Sequence, residues 1–258
     1  MEIAFDAIGL EILSQTAFNN LAENAERRGE ASCVARKSGI LHGRCWRLGE
    51  GLEVWTVLYE SESGEVIHAD CRPAFRAQFT QRLAPWLSNE FDEEGEALIH
   101  GFIEDTDAEI LFELQNLTEV GEKFFQQGTL TIGLCGLAYH AKVSEKKCEY
   151  VWKSLFENKG KLENDWSLCG KILAFKTLNN SVSGSALSWI YVDLADFRLE
   201  ILVNHRALIG ELKIGASLQA EVWLQGHLVS ESNARAAYEG VDFSVSSSTY
   251  WQKFKKLN

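Results

Sequence analysis

Residues 41–46 read LHGRCW and residues 168–173 read LCGKIL, a loose repeat of leucine, glycine and a basic residue at matching spacing. A tryptophan opens an apolar stretch downstream of each copy, Trp55 after the first and Trp189 after the second. The repeat predicts one small strand-rich unit that the chain uses twice. It predicts architecture, because nothing in it carries a recognisable chemistry.

The composition is that of a chain with substantial hydrophobic cores. The 258 residues suit one large domain or two ordinary ones, and 46% of them are hydrophobic. The uncharged apolar runs are far shorter than the roughly 20 residues that a membrane span needs. The first residues, MEIAFD, lack the basic and apolar segments of a secretory signal. We therefore expect a cytoplasmic protein with no membrane association.

Charge is distributed unevenly along the chain. Residues 1–128 carry 24 acidic and 10 basic side chains, a net of −14, whereas residues 129–258 carry 13 and 15, a net of +2. This difference favours two domains, 1–128 and 129–258, with different surfaces. It argues against nucleic acid binding by the first domain, because affinity for phosphates depends on Lys and Arg.

The periodicity of the first half indicates a helix followed by a strand meander. A four-residue repeat predicts a helix over 10–28, and a second one, between Pro73 and Pro85, predicts another helix. Strands are expected at 40–47, 52–60, 65–71, 97–103 and 108–115. Three strands, a helix and two strands are the element order of the oligonucleotide/oligosaccharide-binding (OB) barrel.

The second half is expected to contain a similar set of strands, joined by helices. Strands are predicted at 129–141, 169–178, 187–194, 197–203 and 217–229, and helices at 118–127, 143–158, 205–212 and 232–239. The fold class is therefore a strand-rich α+β fold. It would contain two small curved antiparallel sheets or OB-like, partly open barrels, each with packed helices.

Metal and cofactor chemistry receives little support. His42 with Cys45 and His68 with Cys71 could supply zinc ligands, but residues three apart on a strand point to opposite faces. We expect no metal site and no cofactor, and we expect the six cysteines to be reduced.

An acidic segment is the candidate surface for a partner. No Lys or Arg occurs between Leu83 and Glu122, and the segment lacks the pattern of a calcium loop. A solvated acidic loop explains it most simply, and a basic partner protein could dock there. The candidate partner-binding residues are Glu90, Asp92, Glu93, Glu94 and Glu96.

Aromatic residues of the second half form the candidate ligand site. Trp189 and Tyr191 alternate onto one strand face, Trp223 lies on a later strand, and Arg198 is expected nearby. Aromatic platforms beside cations stack single-stranded bases or sugars. The competing interpretation is core packing, because large aromatic side chains are mostly buried.

These observations leave three functional hypotheses. The first is a non-enzymatic interaction or adaptor protein that binds a basic partner. The second is a ligand-binding module for single-stranded nucleic acid or saccharide on the second domain. The third is an acid–base or metal-assisted enzyme, which we favour least because no residue can be assigned a catalytic role and no nucleophile or phosphate-binding motif is present.

Overall fold

The structure is a computed structural model that describes residues 2–121, 128–146, 149–155, 164–229 and 241–242. Its helices are α1 (Glu2–Ala7) and α2 (Gln15–Arg28). Its strands are β1 (Glu30–Ala35), β2 (Gly39–Gly49), β3 (Leu52–Ser61), β4 (Val66–Phe75), β5 (Thr80–Phe91), β6 (Glu96–Ile103), β7 (Glu109–Leu114), β8 (Leu130–Ser144), β9 (Val151–Ser154), β10 (Asp165–Asn179), β11 (Ala186–Asp193), β12 (Arg198–Asn204), β13 (Leu208–Ile209), β14 (Ser217–Leu228) and β15 (Val241–Asp242). The predicted strand-rich α+β fold is confirmed.

The smaller sheet is an antiparallel meander with the order β15-β1-β2-β3-β4. Strand β3 is buried on both faces from Leu52 to Tyr59. Helix α2 begins after Ser14, whose side chain accepts a hydrogen bond from the backbone N–H of Ala17 and so caps the helix. The helix lies against β2 and β3 and covers one face of this sheet.

The larger sheet consists of two closed rings that share strands β8 and β14. These strands pair antiparallel with each other, from Ser144 opposite Ser217 to Ile132 opposite Leu228. The first ring runs β8-β5-β6-β7-β14, and its β7–β14 pairing is parallel. The second ring runs β8-β12-β11-β10-β14, and its β8–β12 pairing is parallel. Each ring is thus a three-strand meander closed by the same two long strands.

Two main hydrophobic clusters hold these layers together. One fills the rings and joins residues such as Ile99 and Phe112 to Ile190 and Ile201. The other lies between the small sheet, the helices and the outer face of the second ring. Pairing between β5 and β8 crosses the predicted boundary at 128/129. The division into domains 1–128 and 129–258 therefore remains a prediction about which segments fold independently.

A three-strand meander occurs twice in the structure, but the two copies of the sequence repeat do not occupy equivalent places in it. Residues 41–46 lie in β2 of the small sheet, whereas residues 168–173 lie in β10 of the second ring. The segments that match in the structure are β5-β6-β7 (80–114) and β10-β11-β12 (165–204). Each is a meander whose third strand pairs parallel with a shared strand.

The helix predicted between Pro73 and Pro85 is wrong. Pro73 lies within β4 opposite Val54, and Pro85 lies in β5 beside a register shift that accommodates its missing N–H. Phe75 and Leu83 enter different hydrophobic clusters, although their spacing also fits one face of a helix. A four-residue apolar period therefore arose here from two strands and a turn.

Several other helix predictions also differ from the structure. The described part of 143–158 contains the end of β8 and strand β9, where Trp152 stacks on Trp166 with ring centroids 4.2 Å apart. Residues 117–119 and 205–207 form single 3-10 turns. The helix predicted at 10–28 starts at Gln15. The one predicted at 232–239, like residues 122–127, lies outside the described residues.

Candidate functional site

The structure brings Trp189 and Tyr191 together on the outer face of the second ring. Their rings are nearly parallel, with centroids 6.2 Å apart, and Phe79 stacks on Tyr191 at 4.5 Å. Trp189 is buried, and its Nε1 donates a hydrogen bond to Glu200 Oε2 at 2.6 Å. The predicted platform is therefore covered in part by Phe79 from the loop before β5.

Glu200 anchors that loop. Its Oε1 accepts hydrogen bonds from the backbone N–H groups of Gln78 and Phe79, at 2.6 and 2.7 Å. The backbone carbonyl of Arg198 accepts a further bond from Gln81 Nε2 at 2.7 Å, while the Arg198 side chain is exposed at the start of β12. These contacts join β5 to the second ring.

The predicted acidic surface is partly used inside the protein. The segment 90–96 contains the end of β5, the turn formed by residues 92–95 and the first residue of β6. Arg36 Nη1 donates to Glu90 Oε2 at 2.8 Å, and Ser38 Oγ donates to Asp92 Oδ2 at 2.5 Å. Glu93 and Glu94 are exposed, whereas Glu96 is half-buried and lines a cavity.

That cavity is where two residues from separate predicted sites meet. Trp223 and Glu96 line a space of about 390 Å³ where β4 of the small sheet faces both rings. The other lining residues are Ala4, Asp70, Arg72, Glu113 and Tyr139. We refer to it as the Arg72 cavity. Trp223 packs against the same hydrophobic cluster as Trp189 and Tyr191, and it also lines this cavity.

Arg72 is the buried centre of the cavity wall. Its Nη1 lies 2.8 Å from Asp70 Oδ2 and 3.0 Å from Glu113 Oε1. The same nitrogen donates to the carbonyl of Gly95 at 3.1 Å, and Nη2 reaches the carbonyls of Leu114 and Gln115 at 3.4 and 3.5 Å. The guanidinium therefore ties β4 to the β5–β6 turn and to the end of β7.

Burial shifts the acid–base properties of all three carboxyl groups. It raises the pKa of Glu113 to about 8, against the opposing effects of Arg72 and of a hydrogen bond with the Trp223 side chain. Burial likewise raises the pKa of Asp70 and of Glu96. Glu113 is therefore mostly protonated at neutral pH, and strongly shifted groups in a cavity indicate a functional site.

Tyr139 closes another side of the cavity. Its hydroxyl donates to Asp165 Oδ1 at 2.5 Å, and this bond joins β8 to β10. Burial raises the Tyr139 pKa, and the neighbouring Asp165 acts in the same direction. Tyr139 is therefore neutral at physiological pH and offers a polar oxygen beside the carboxyl groups.

A second cavity adjoins the same carboxylate. Its volume is about 350 Å³, and Asp70 lines it together with Phe5, Ile12, Phe18 and His68. Burial lowers the pKa of His68, and its Nε2 lies 3.1 Å from Thr56 Oγ1. The second space therefore combines polar groups with the apolar side chains of Phe5, Ile12 and Phe18.

Two buried polar atoms at the Arg72 cavity lack well-oriented partners. Among the described residues, Asp70 Oδ2 and Arg72 Nε have no hydrogen bond of good geometry, although Asp70 forms the ion pair with Arg72. Buried polar groups are nearly always satisfied by protein, water or a ligand. Asp70 Oδ2 lies 2.8 Å from Arg72 Nη1, so this carboxyl group is satisfied mainly by the ion pair.

Sequence reasoning missed Asp70, Arg72, Glu113 and Tyr139. The signal was present in β4, where Asp70 and Arg72 occupy positions i and i+2 of an otherwise buried strand and so share one face. Glu113 likewise interrupts the apolar run ILFEL in β7. Charged residues inside apolar strands are costly unless they are paired, and that cost makes them candidates for function.

Comparison with known proteins gives a partial match to one family. Residues 140–226 are similar to the family described as "Domain of unknown function, E. rectale Gene description (DUF3881)". The match covers about a third of the chain, from the end of β8 to β14, and includes Trp189, Tyr191, Arg198 and Trp223. Neither a curated protein nor a solved structure matches.

Three further findings bear on the sequence predictions. Within the part of the chain that the structure describes, no group of three or more His, Cys, Asp or Glu side chains is arranged to hold a metal ion. No helix among the same residues is long and apolar enough to cross a membrane. Cys169 is disulfide-bonded, so the expectation that all cysteines are reduced is wrong at this residue.

Proposed function

We propose that this chain is a non-enzymatic binding protein that holds a small polar molecule in the Arg72 cavity. One observation carries the proposal: three carboxyl groups, whose pKa values burial raises, and the guanidinium of Arg72 converge on a space of about 390 Å³. Trp223 supplies an aromatic wall to the same space. Concave sites with a few convergent polar groups are typical of small-molecule binding.

The topology of the rings supports a binding role. Each ring has a three-strand meander whose third strand pairs parallel with a closing strand, and we interpret each as an OB-like barrel. Such barrels bind oligonucleotides and oligosaccharides, although fold alone does not define function. The three carboxyl groups of the cavity disfavour a phosphate-bearing ligand, so the nucleic acid alternative is weaker than the saccharide one.

Thermal unfolding and tryptophan fluorescence test this function directly. We expect at least one member of a panel of monosaccharides, polyols and aliphatic amines to raise the midpoint of unfolding and to change the emission. Trp223→Phe should remove the emission change, and Trp86→Phe should retain it because Trp86 is exposed and lies outside the cavity. A panel without any Trp223-dependent response would overturn the proposal.

A second candidate function is the docking of a basic protein on the β5–β6 hairpin. Trp86 is 63% exposed, Phe91 is 41% exposed, and the adjoining turn presents Glu93 and Glu94 to solvent. Exposed aromatic residues beside like charges are typical of interaction surfaces. We expect a lysine-rich peptide to bind this hairpin at low ionic strength, and Trp86→Ala with Glu93→Gln to abolish binding. Unchanged binding by that double variant would reject this candidate.

A further inference from the structure

The Arg72 cavity carries more negative than positive groups. We propose that its ligand is an aliphatic diamine or polyamine, a small organic cation whose nitrogens are N–H donors. This inference rests on the binding function proposed above and names the ligand class for the same site. It follows from the charge count, from the donor and acceptor inventory and from the shape of the adjoining cavity.

The charge count is the first step. Asp70, Glu96 and Glu113 line the cavity, and Arg72 is the cation among the lining residues, which leaves a formal charge of −2 when every group is ionised. Arg72 is already engaged, because its two terminal nitrogens contact Asp70, Glu113 and three backbone carbonyls. A diamine carries the two positive charges that would balance the site.

The hydrogen-bonding groups of the cavity also favour a ligand that donates hydrogen bonds. An ionised carboxylate only accepts hydrogen bonds, and an alkylammonium group only donates them. Glu96 is half-buried and lines the space, so its carboxylate is an acceptor that a ligand can reach. Hydrogen bonds from an ammonium to a carboxylate are about twice as strong as neutral ones. The indole of Trp223 lines the same space and could contact the cation through its π face.

A metal ion fits this site less well than an organic cation. Hard metal ions need several oxygen ligands around one point. Within the described ranges, the side chains of His, Cys, Asp and Glu form no such group, the three carboxyl groups of this cavity included. Asp70 and Glu113 instead share the Nη1 atom of Arg72, which leaves Glu96 and the aromatic wall of Trp223 for an organic cation.

The second cavity supplies a place for a methylene chain. It meets the Arg72 cavity at Asp70, and Phe5, Ile12 and Phe18 give it apolar walls. His68 in the same lining is kept neutral by burial and so does not repel a cation. A diamine with one nitrogen at Asp70 could lay its carbon chain against these side chains.

Protonation should be coupled to cation binding. The groups that face Glu113 are Arg72 and Asp70 from β4, Glu96 from β6, Tyr139 from β8 and Trp223 from β14. Burial and the two other carboxyls raise the pKa of Glu113 to about 8, so a bound cation would lower it again and release a proton at pH 7. The affinity for a diamine should then rise as the pH increases from 6.5 to 8.5.

Isothermal titration calorimetry with putrescine, butylamine and 1,4-butanediol tests the ligand class. The diol has the length of putrescine without its charges. We expect putrescine to bind at least 30-fold more tightly than the diol and at least 5-fold more tightly than the monoamine. Titrations in two buffers of different ionisation enthalpy should reveal proton release on putrescine binding at pH 7.

Matched variants locate the binding. Glu113→Gln and Glu96→Gln should each weaken putrescine binding at least tenfold, whereas Glu109→Gln on the same strand β7 and Glu94→Gln in the β5–β6 turn should change it less than twofold. Glu96 is only half-buried, so its variant keeps the test valid if Glu113→Gln does not fold.

The outcomes separate the ligand class from the binding function. Equal binding of the diol, or a Trp223-dependent response to sugars but not to putrescine, would overturn the cation proposal and leave the binding function intact. Putrescine binding that both cavity variants retain would place the cation elsewhere and also overturn it. If no compound in either panel binds in a Trp223-dependent way, both proposals fail.

Discussion

At the scale of single residues, Arg72 neutralises groups that would otherwise repel each other. Its Nη1 contacts both Asp70 and Glu113, and the side chains of all three residues are at most 8% exposed. Removing one partner from a buried ion pair usually costs more than replacing the whole pair, because an uncompensated charge is left behind. The arginine is therefore a structural element of the cavity as well as part of its lining.

We expect Arg72→Met to lower the free energy of unfolding by about 3–5 kcal/mol at pH 8, the usual range for a broken buried pair. The loss should shrink near pH 5, because Glu113, whose pKa is about 8, is then protonated and no longer carries a charge that arginine balances. Urea unfolding at both pH values measures this. Arg82→Met, which breaks an exposed pair with Glu104, should cost less than about 1 kcal/mol. An equal loss at both pH values for Arg72→Met would contradict the charge argument.

The raised pKa of Glu113 also predicts how stability depends on pH. Its pKa is about 8 in the folded protein, against an ordinary value of 4.5, so the folded state binds the proton more tightly. The resulting stabilisation is complete below about pH 4.5 and is lost as the pH rises through 8. Glu26 in α2, whose pKa burial also raises to about 8, contributes in the same direction.

Unfolding midpoints between pH 5 and pH 9 test this dependence. The midpoint of the unsubstituted protein should fall across this range. Glu113→Gln should flatten the curve in part, because the contribution of Glu26 remains. Glu62→Gln, at an exposed position in the turn between β3 and β4, should leave the curve unchanged. A Glu113→Gln curve as steep as that of the unsubstituted protein would show that Glu113 is ionised in the folded state.

At the scale of elements, strands were predictable from sequence and helices largely were not. Alternating apolar residues located β2, β3, β6 and β12 closely, because the period of two is imposed by the strand itself. The helix expected between Pro73 and Pro85 was wrong, because the four-residue spacing of Phe75, Phe79 and Leu83 is also compatible with two strands joined by a turn. Tertiary pairing decided between the two possibilities.

The candidate site was predictable only in fragments, for the same reason. Trp223 and Glu96 were identified from sequence but assigned to different sites, since they are far apart in the chain. Asp70 and Arg72 on β4 meet Glu113 on β7 because the small sheet packs against the larger one, which no local pattern encodes. The raised pKa values of these carboxyl groups arise only when the strands assemble and bury them.

Alanine substitutions distinguish the strand arrangement from the helix that the sequence suggested. Leu83 is fully buried inside the first ring, so Leu83→Ala should cost about 2–5 kcal/mol of unfolding free energy. Phe79 is 46% exposed, so Phe79→Ala should cost less than about 1.5 kcal/mol, the upper value for an aromatic pair, through its stacking on Tyr191. Similar losses at both positions would indicate one buried helical face instead. Chemical denaturation of the two variants measures the difference.

At the scale of the whole molecule, the two rings depend on the same pair of strands. Strands β8 and β14 contribute to both rings and approach closely where Gly133 faces the ring of His227, leaving no room for a side chain at residue 133. Burial lowers the pKa of His227 to about 3, so this imidazole is neutral and packs as an uncharged ring. A change at this point should therefore affect both meanders.

Because strand pairing crosses residues 128/129, we expect one cooperative unfolding transition that includes β5-β6-β7 and β10-β11-β12 together. Gly133→Val would place its side chain closer to His227 than van der Waals contact allows. The variant should therefore lower the protection of both meanders against hydrogen exchange to a similar extent. Gly128→Ala, which meets nothing within 4 Å, is the matched control and should leave exchange unchanged. Hydrogen exchange read by mass spectrometry resolves the two meanders separately. Strands that both rings share cannot lose their packing for one ring alone. Loss of protection in only one meander, or two separate transitions in urea, would therefore show that residues 1–128 and 129–258 are independent folding units.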